Sequence, residues 1–263
     1  MPIQSTARST RRSILLVGLA TASSLLVAAP ALAQGAPAEA PVVDAAVIKR
    51  LGEVGNFLRA QKRFAVKAEA LTDEVLLSGQ KLQFASTVEY QVSSPDRLRA
   101  SVRSDRRQRD YYFDGKTLTQ VALRAGYYAS VPLAGTVGEA MTLVADRYEI
   151  EMPLADLFLW GTPKAGLEDI TSALLVGPAR IGGVDCDHFA LRQPGVDWQV
   201  WVERGARALP LKLVITTTDE PAQPQYTATL KWDLKANPVA SAFTYVPAKG
   251  VHRIELKPVA AAK

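Results

Sequence analysis

The residues best suited to chemistry crowd into one stretch, "IGGVDCDHFALRQPGVDWQVWVERG", Ile181 to Gly205. It holds the single cysteine, Cys186, one of two histidines, His188, and two of four tryptophans, Trp198 and Trp201. A thiolate and an imidazole two positions apart on a strand share a face, which raises two chemistries: a zinc site, or an enzyme using Cys186 and His188 as an activated nucleophile. Zinc needs further ligands, yet the only other histidine is His252, and neither a CxxC nor an HExxH motif is present. Side chains two apart on one strand also make a poor thiol–imidazole hydrogen bond, and a lone buried cysteine behaves as a small hydrophobe. Neither G-x-S-x-G nor G-x-G-x-x-G occurs, so serine-hydrolase and dinucleotide signatures are missing. The acid pairs Glu149/Glu151 and Glu168/Asp169 sit in polar contexts. The expectation is therefore a protein that is not an enzyme, with no catalytic residue, metal or cofactor, and a hairpin with its turn at Pro194-Gly195.

The elements around that hairpin set its surroundings. Residues 1–33 carry Arg8, Arg11 and Arg12, an apolar run from Ile14 to Ala29, and "ALA" at 31–33. That is the pattern of a cleaved secretory signal, leaving no transmembrane anchor. "TRRSIL" at 10–15 also resembles a twin-arginine signal, so the export route stays open between the two. A Pro/Ala leader covers 34–43. Asp44 then reads as the N-cap of a helix to about Gln61, with Val47, Ile48, Leu51, Val54, Phe57 and Leu58 on one stripe. Strand alternation follows, clearest in "LQFASTVEYQV", where Leu82, Phe84, Val88, Tyr90 and Val92 share a face. About five strands lead to a helical stretch, 136–161, containing Met141, Phe158 and Trp160, and five or more strands complete the chain.

Charge narrows the partners. The chain carries a formal +5, but the first 33 residues hold three of its 31 basic residues and none of its 26 acids, so the remainder is only +2. A nucleic-acid binder keeps a strong positive excess, so no nucleic acid is expected. One basic run, "RLRASVRSDRRQR", places Arg97, Arg99, Arg103, Arg106 and Arg107 as candidates for an anionic partner such as a lipid headgroup. One cysteine forms no intramolecular disulfide, so stability must come from the core.

Alternating strands plus two amphipathic helical regions predict a mainly β (α+β) fold. It is a strongly curved antiparallel sheet or unclosed β-barrel with the helices on its concave side, in one domain over 44–263. Candidate cavity residues are Phe84, Val88, Tyr90, Met141, Phe158, Trp160, Trp198 and Trp201. The segments "YYFDGKTLT" (111–119), "MPLADLFLWG" (152–161) and "GVDCDHFALRQPGVDWQVWVERGARALPLKLVIT" (183–216) resemble the exported bacterial family called domain of unknown function 2092. That resemblance implies a fold similar to the lipoprotein carriers LolA and LolB and to the RseB sensor domain, with a periplasmic location and a hydrophobic cavity. No cysteine follows the signal, which departs from the lipid-anchored LolB pattern. Two functions follow as expectations. One is a carrier binding a hydrophobic ligand, such as a lipid or an acylated protein, beneath movable helices. The other is a non-enzymatic protein-interaction or envelope-stress-sensing module with an envelope protein as partner.

Overall fold

A computed structural model describes residues 42–259. The expected signal at 1–33 and most of the 34–43 leader lie outside the described residues. The end of the leader is pinned: the Ala173 N–H donates to Val42 O (3.0 Å) and the Asp44 N–H to Ala173 O (2.9 Å). Helix α1 spans Ala45–Ala60, and the Asp44 carboxylate caps it by accepting from the Ala46 N–H at 2.8 Å. Val47, Leu51, Val54 and Leu58 are its buried side, spaced four, three and four residues apart. Burying those four side chains contributes roughly 6–12 kcal/mol before chain entropy is charged against it.

Six strands follow: β1 (Arg63–Val75), β2 (Lys81–Ser93), β3 (Arg97–Ser104), β4 (Gln108–Phe113), β5 (Thr117–Ala122) and β6 (Tyr127–Pro132). The Asp114-Gly115 turn separates β4 from β5, and six strands stand where about five were expected. Helix α2 (Val137–Tyr148) and a single 3-10 turn (Ala155–Phe158) make up the helical stretch. The second half supplies β7 (Ser172–Ile181), β8 (Val184–Gln193), β9 (Val196–Glu203), β10 (Pro210–Thr217), β11 (Gln225–Asp233) and the short β12 (His252–Arg253). All twelve join one sheet in the order β12-β6-β5-β4-β3-β2-β1-β11-β10-β9-β8-β7. The β1–β11 pairing, from Ala65↔Asp233 to Thr72↔Tyr226, joins the two meanders, and every neighbour is antiparallel except β12 on β6. The curved sheet does not close: β12 and β7 are its edges. β7 exposes Leu174, Leu175 and Val176, where a bulge and Pro178 interrupt a regular edge.

The faces separate by alternation. Phe64, Val66, Val88, Tyr90, Val92, Leu98, Tyr111 and Phe113 turn inward to meet α1, α2 and the 3-10 turn. Their neighbours on β3–β6 turn outward and are covered by the chain after β11. Phe243, 1% exposed, anchors that cover, and Tyr245 packs on Tyr112 and Tyr128 at 5.3 and 5.2 Å between ring centroids. Under it the buried Asp110 carboxylate accepts from Arg103 at 2.5 Å. Backbone bonds from Ile254 N to Tyr128 O and from Val259 N to Arg147 O, both 2.8 Å, hold the tail in place.

Candidate functional site

The helices do not fill the inner face. Between the last turn of α1, the near ends of β1 and β2, the start of α2 and the segment 158–164 lies a cavity of about 570 Å³. Leu58, Phe64, Val92, Pro95, Val137, Phe158, Leu159 and Pro163 give it an apolar lining, and Arg59, Glu139 and Lys164 supply its charges. Phe158 contributes its ring against Phe64 (6.3 Å, stacked) and Tyr90 (5.6 Å, edge-on).

Local sequence explains why the walls stand where they do. Gly55 permits α1 to approach the 3-10 segment: a Cβ there would lie 1.7 Å from the Trp160 carbonyl oxygen. One turn on, Arg59 Nη1 donates to Trp160 O (2.5 Å), and Nη2 donates to Asn56 Oδ1 (2.7 Å) and Gly161 O (3.3 Å). The desolvation of this guanidinium lowers its pKa. On the opposite wall Thr136 and Glu139 form a reciprocal capping box that starts α2, with Thr136 N–H to Glu139 Oε2 at 2.8 Å. Those hydrogen bonds hold the Glu139 carboxyl below its usual value. The segment between α2 and β7, a strap over 149–166, turns at four left-handed residues, Glu149 (φ 50°), Leu154 (φ 65°), Gly161 (φ 74°) and Gly166 (φ 62°). Non-glycine residues in that region carry a conformational cost.

A smaller cavity of about 210 Å³ lies on the other side of this strap, lined by Asp156, Trp160, Trp198, Leu213 and Ile215 among others. Trp160 and Trp198 stack at 5.7 Å. Trp198 Nε1 donates to Gln193 Oε1, and Gln193 Nε2 donates to Gly166 O, each at 2.8 Å. The apolar surroundings, and secondarily Glu151, push the Asp156 carboxyl up. Burial raises the Tyr226 hydroxyl to about 12, and that hydroxyl is buried without a partner among the described residues.

The residues singled out from sequence are distributed unevenly over this geometry. Phe158 lines the larger cavity; Trp160 and Trp198 line the smaller. Val88, Tyr90 and Met141 are buried in the core beneath them. Phe84 lies toward the distal end of the β1–β2 hairpin, with the Arg106 guanidinium 4.8 Å above its ring. Trp201 alternates away from Trp198 and Val200: the His188 ring stacks on it at 4.0 Å and Lys212 Nζ stands 4.8 Å from it, so it lines neither cavity. Leu58, Arg59, Phe64, Val92, Leu159 and Lys164 were not singled out. The α1 stripe and the strand alternation marked Leu58 and Val92 as inward, while nothing local in sequence marks Arg59 or Lys164.

The hairpin that raised the chemical question is structural in its contacts. β8 and β9 pair from Cys186↔Glu203 to Gln193↔Val196. His188 Nε2 bonds Gln199 Oε1 at 2.9 Å rather than the thiol. Cys186 is fully buried and desolvation raises its pKa, the reverse of an activated nucleophile. Among the described residues no group of three or more His, Cys, Asp or Glu is placed to hold a metal ion. The arginine run is likewise divided. Arg103 is committed to Asp110 and Arg106 pairs with Glu74. Arg99 covers Tyr112 at 5.2 Å, Arg97 begins β3 on the outer face, and Arg107 is exposed in the β3–β4 turn.

The family model described as "Predicted periplasmic protein (DUF2092)" matches residues 47–257. The chain belongs to this family. The matched region runs from Val47, the first residue of the α1 buried stripe, to the tail beyond β12. A comparison with curated proteins found no match. Among solved structures, the Mycobacterium tuberculosis lipoprotein LppX is 12% identical, covering 74% of this chain and 98% of its own, with a TM-score of 0.47. The Pseudomonas aeruginosa MucA/MucB complex matches at 16% identity, 77% of this chain and 62% of that one, TM-score 0.41. A LolA superfamily protein from Nitrosomonas europaea matches at 11%, 78% and 98%, TM-score 0.34. No described helix is long and apolar enough to cross a membrane.

Proposed function

We propose that this is a periplasmic, non-enzymatic protein that holds an apolar ligand, an acyl chain of a lipid or of a lipidated polypeptide, under the strap at 149–166. The observation that carries the reading is the cavity of about 570 Å³ lined chiefly by Leu, Val, Phe and Pro side chains. It lies within the ~300–1,000 Å³ range of small-molecule sites. The cavity is open on one side, and its apolar walls lack packing partners that an apolar ligand would supply. The signal pattern at 1–33 and the family description support the location.

Native mass spectrometry of protein purified without delipidation, repeated after solvent extraction and re-addition of hexadecanoic acid, tests the reading. Retention of a lipid-sized mass by the wild type, and its loss in the cavity-filling variant Leu159→Trp, is the expected result. A wild type that retains and rebinds nothing would remove the proposal. Cell fractionation checks the location: recovery in the cytoplasmic fraction opposes it.

A second reading, a contact module for an envelope protein, is favoured by the exposed apolar edge Leu174, Leu175 and Val176 on β7. Crosslinking from a photoreactive residue at 175 in periplasm distinguishes the two. A single protein adduct favours the contact module, and an absence of adducts opposes it.

A further inference from the structure

Arg59, Glu139 and Lys164 stand at the exposed rim of the larger cavity, and one of them is held in place. Arg59 is fixed there by three hydrogen bonds, all to neutral oxygens: Trp160 O, Asn56 Oδ1 and Gly161 O. A guanidinium has five N–H donors, so two remain free in a group whose position is already set. No carboxylate lies within ion-pair distance of it among the described residues, a state it shares with other arginines such as Arg63 and Arg97, but Arg59 alone of these lines the cavity. Lys164, on the facing segment, lines the same cavity and also has no ion pair there. The single acid in the lining, Glu139, spends its Oε2 on the Thr136 N–H (2.8 Å) and Oγ1 (2.9 Å). The lining therefore holds two cations, Arg59 and Lys164, against one acid whose Oε2 is already engaged, a net positive charge beside the apolar walls.

Resting on the acyl-chain reading above, we infer that the ligand is an anionic amphiphile. Its chain occupies the Leu58–Phe64–Val92–Phe158 lining, and its carboxylate or phosphate head is received by the free N–H groups of Arg59 with Lys164 beside it. Two N–H donors on a fixed cation, one on Nε and one on Nη1, next to apolar walls favour an anionic head over a neutral one. The N-terminus of α2 contributes little, since the capping box already occupies its first donors.

Competitive displacement of a fluorescent acyl probe from the purified protein tests this with chain-matched pairs below their aggregation limits. The pairs are hexadecanoate against hexadecanol, and monopalmitoylglycerol phosphate against monopalmitoylglycerol. At least one anionic member should bind about tenfold more tightly than its neutral partner, and which pair shows the larger ratio separates a free fatty acid from a phospholipid head. The ratio should shrink with added salt and fall in Lys164→Gln and in Arg59→Gln. Because Arg59 also fastens the strap, Arg59→Lys keeps the charge and should restore most of the preference lost in Arg59→Gln. Equal affinity within both pairs, or ratios unchanged in both glutamine variants, overturns the inference while the neutral binding upholds the cavity reading. Failure of all four amphiphiles to displace the probe, or of the probe to bind, overturns both.

Discussion

The two faces of the β2–β6 meander are made from the same alternating strands, yet one is sealed and the other is hollow. Outside, the tail after β11 buries Phe243 and lays Tyr245 onto Tyr112 and Tyr128, on the face where Arg103 holds the buried Asp110 carboxylate. Inside, two helices and a strap bridge the curve at Gly55, Trp160 and Arg59 and leave about 570 Å³ between them. A flexible tail can follow a sheet closely because each residue settles separately. A helix is a rigid rod of roughly 10–12 Å diameter, and across a curved sheet it makes contact in places and spans gaps elsewhere. The difference leaves ligand space on the inner face alone, beside the main core that the same face carries.

Removing the anchor of the sealed face should cost most. Phe243→Ala is expected to destabilise by about 3–5 kcal/mol in denaturant unfolding, as for a fully buried aromatic. Next, Gly55→Ala drives a methyl into the Trp160 carbonyl; loss of about 2–3 kcal/mol is expected, together with lost ligand retention as the strap lifts. Phe158→Ala, on the hollow side, should cost only about 1 kcal/mol because its ring is half-buried and already borders empty space. If Phe158→Ala costs as much as Phe243→Ala, the inner face is packed as tightly as the outer and the comparison breaks.

The smallest effect concerns the strap itself. Asp156 has a folded-state pKa raised by desolvation, so the native state binds its proton more tightly than the unfolded chain does. Its contribution therefore weakens as pH rises from the ordinary aspartate range through the folded value. Asp156→Asn should remove that dependence and leave the protein more stable than wild type at neutral pH, read from thermal melts at pH 4 to 7. Asp197 provides the opposite sign. Its hydrogen bonds from Arg192 hold its carboxyl down, so its contribution is present above the ordinary aspartate value and lost as pH falls through the folded one.

Periodicity made much of the fold legible. Asp44 and the 47-51-54-58 stripe specify α1, and the alternation of Phe84 to Val92 specifies β2 and its inward face. Pro194-Gly195 marks the β8–β9 turn, now seen between Gln193 and Val196. The outer cover was not legible, because a segment that lies on a sheet without joining it has no period: Phe243 and Tyr245 look like loop residues. The site was legible only in part. Unusual residues drew attention to Cys186, His188 and Trp201, whose partners prove local. The cavity is walled by common residues from five separated segments, and its size depends on how far α1 and the strap stand from β1 and β2. Arg59 could not be distinguished from a solvated helix-end arginine without the Trp160 and Gly161 carbonyls that hold it.

The most direct measurement of the central claim is methyl NMR of the Leu- and Val-labelled protein titrated with an acyl chain bearing a paramagnetic label. The account predicts selective broadening of Leu58, Val92, Val137 and Leu159, the methyls of the inner cavity, with Val121 and Val214 unaffected. Uniform broadening, broadening confined to Leu174, Leu175 and Val176 on β7, or no broadening would contradict it.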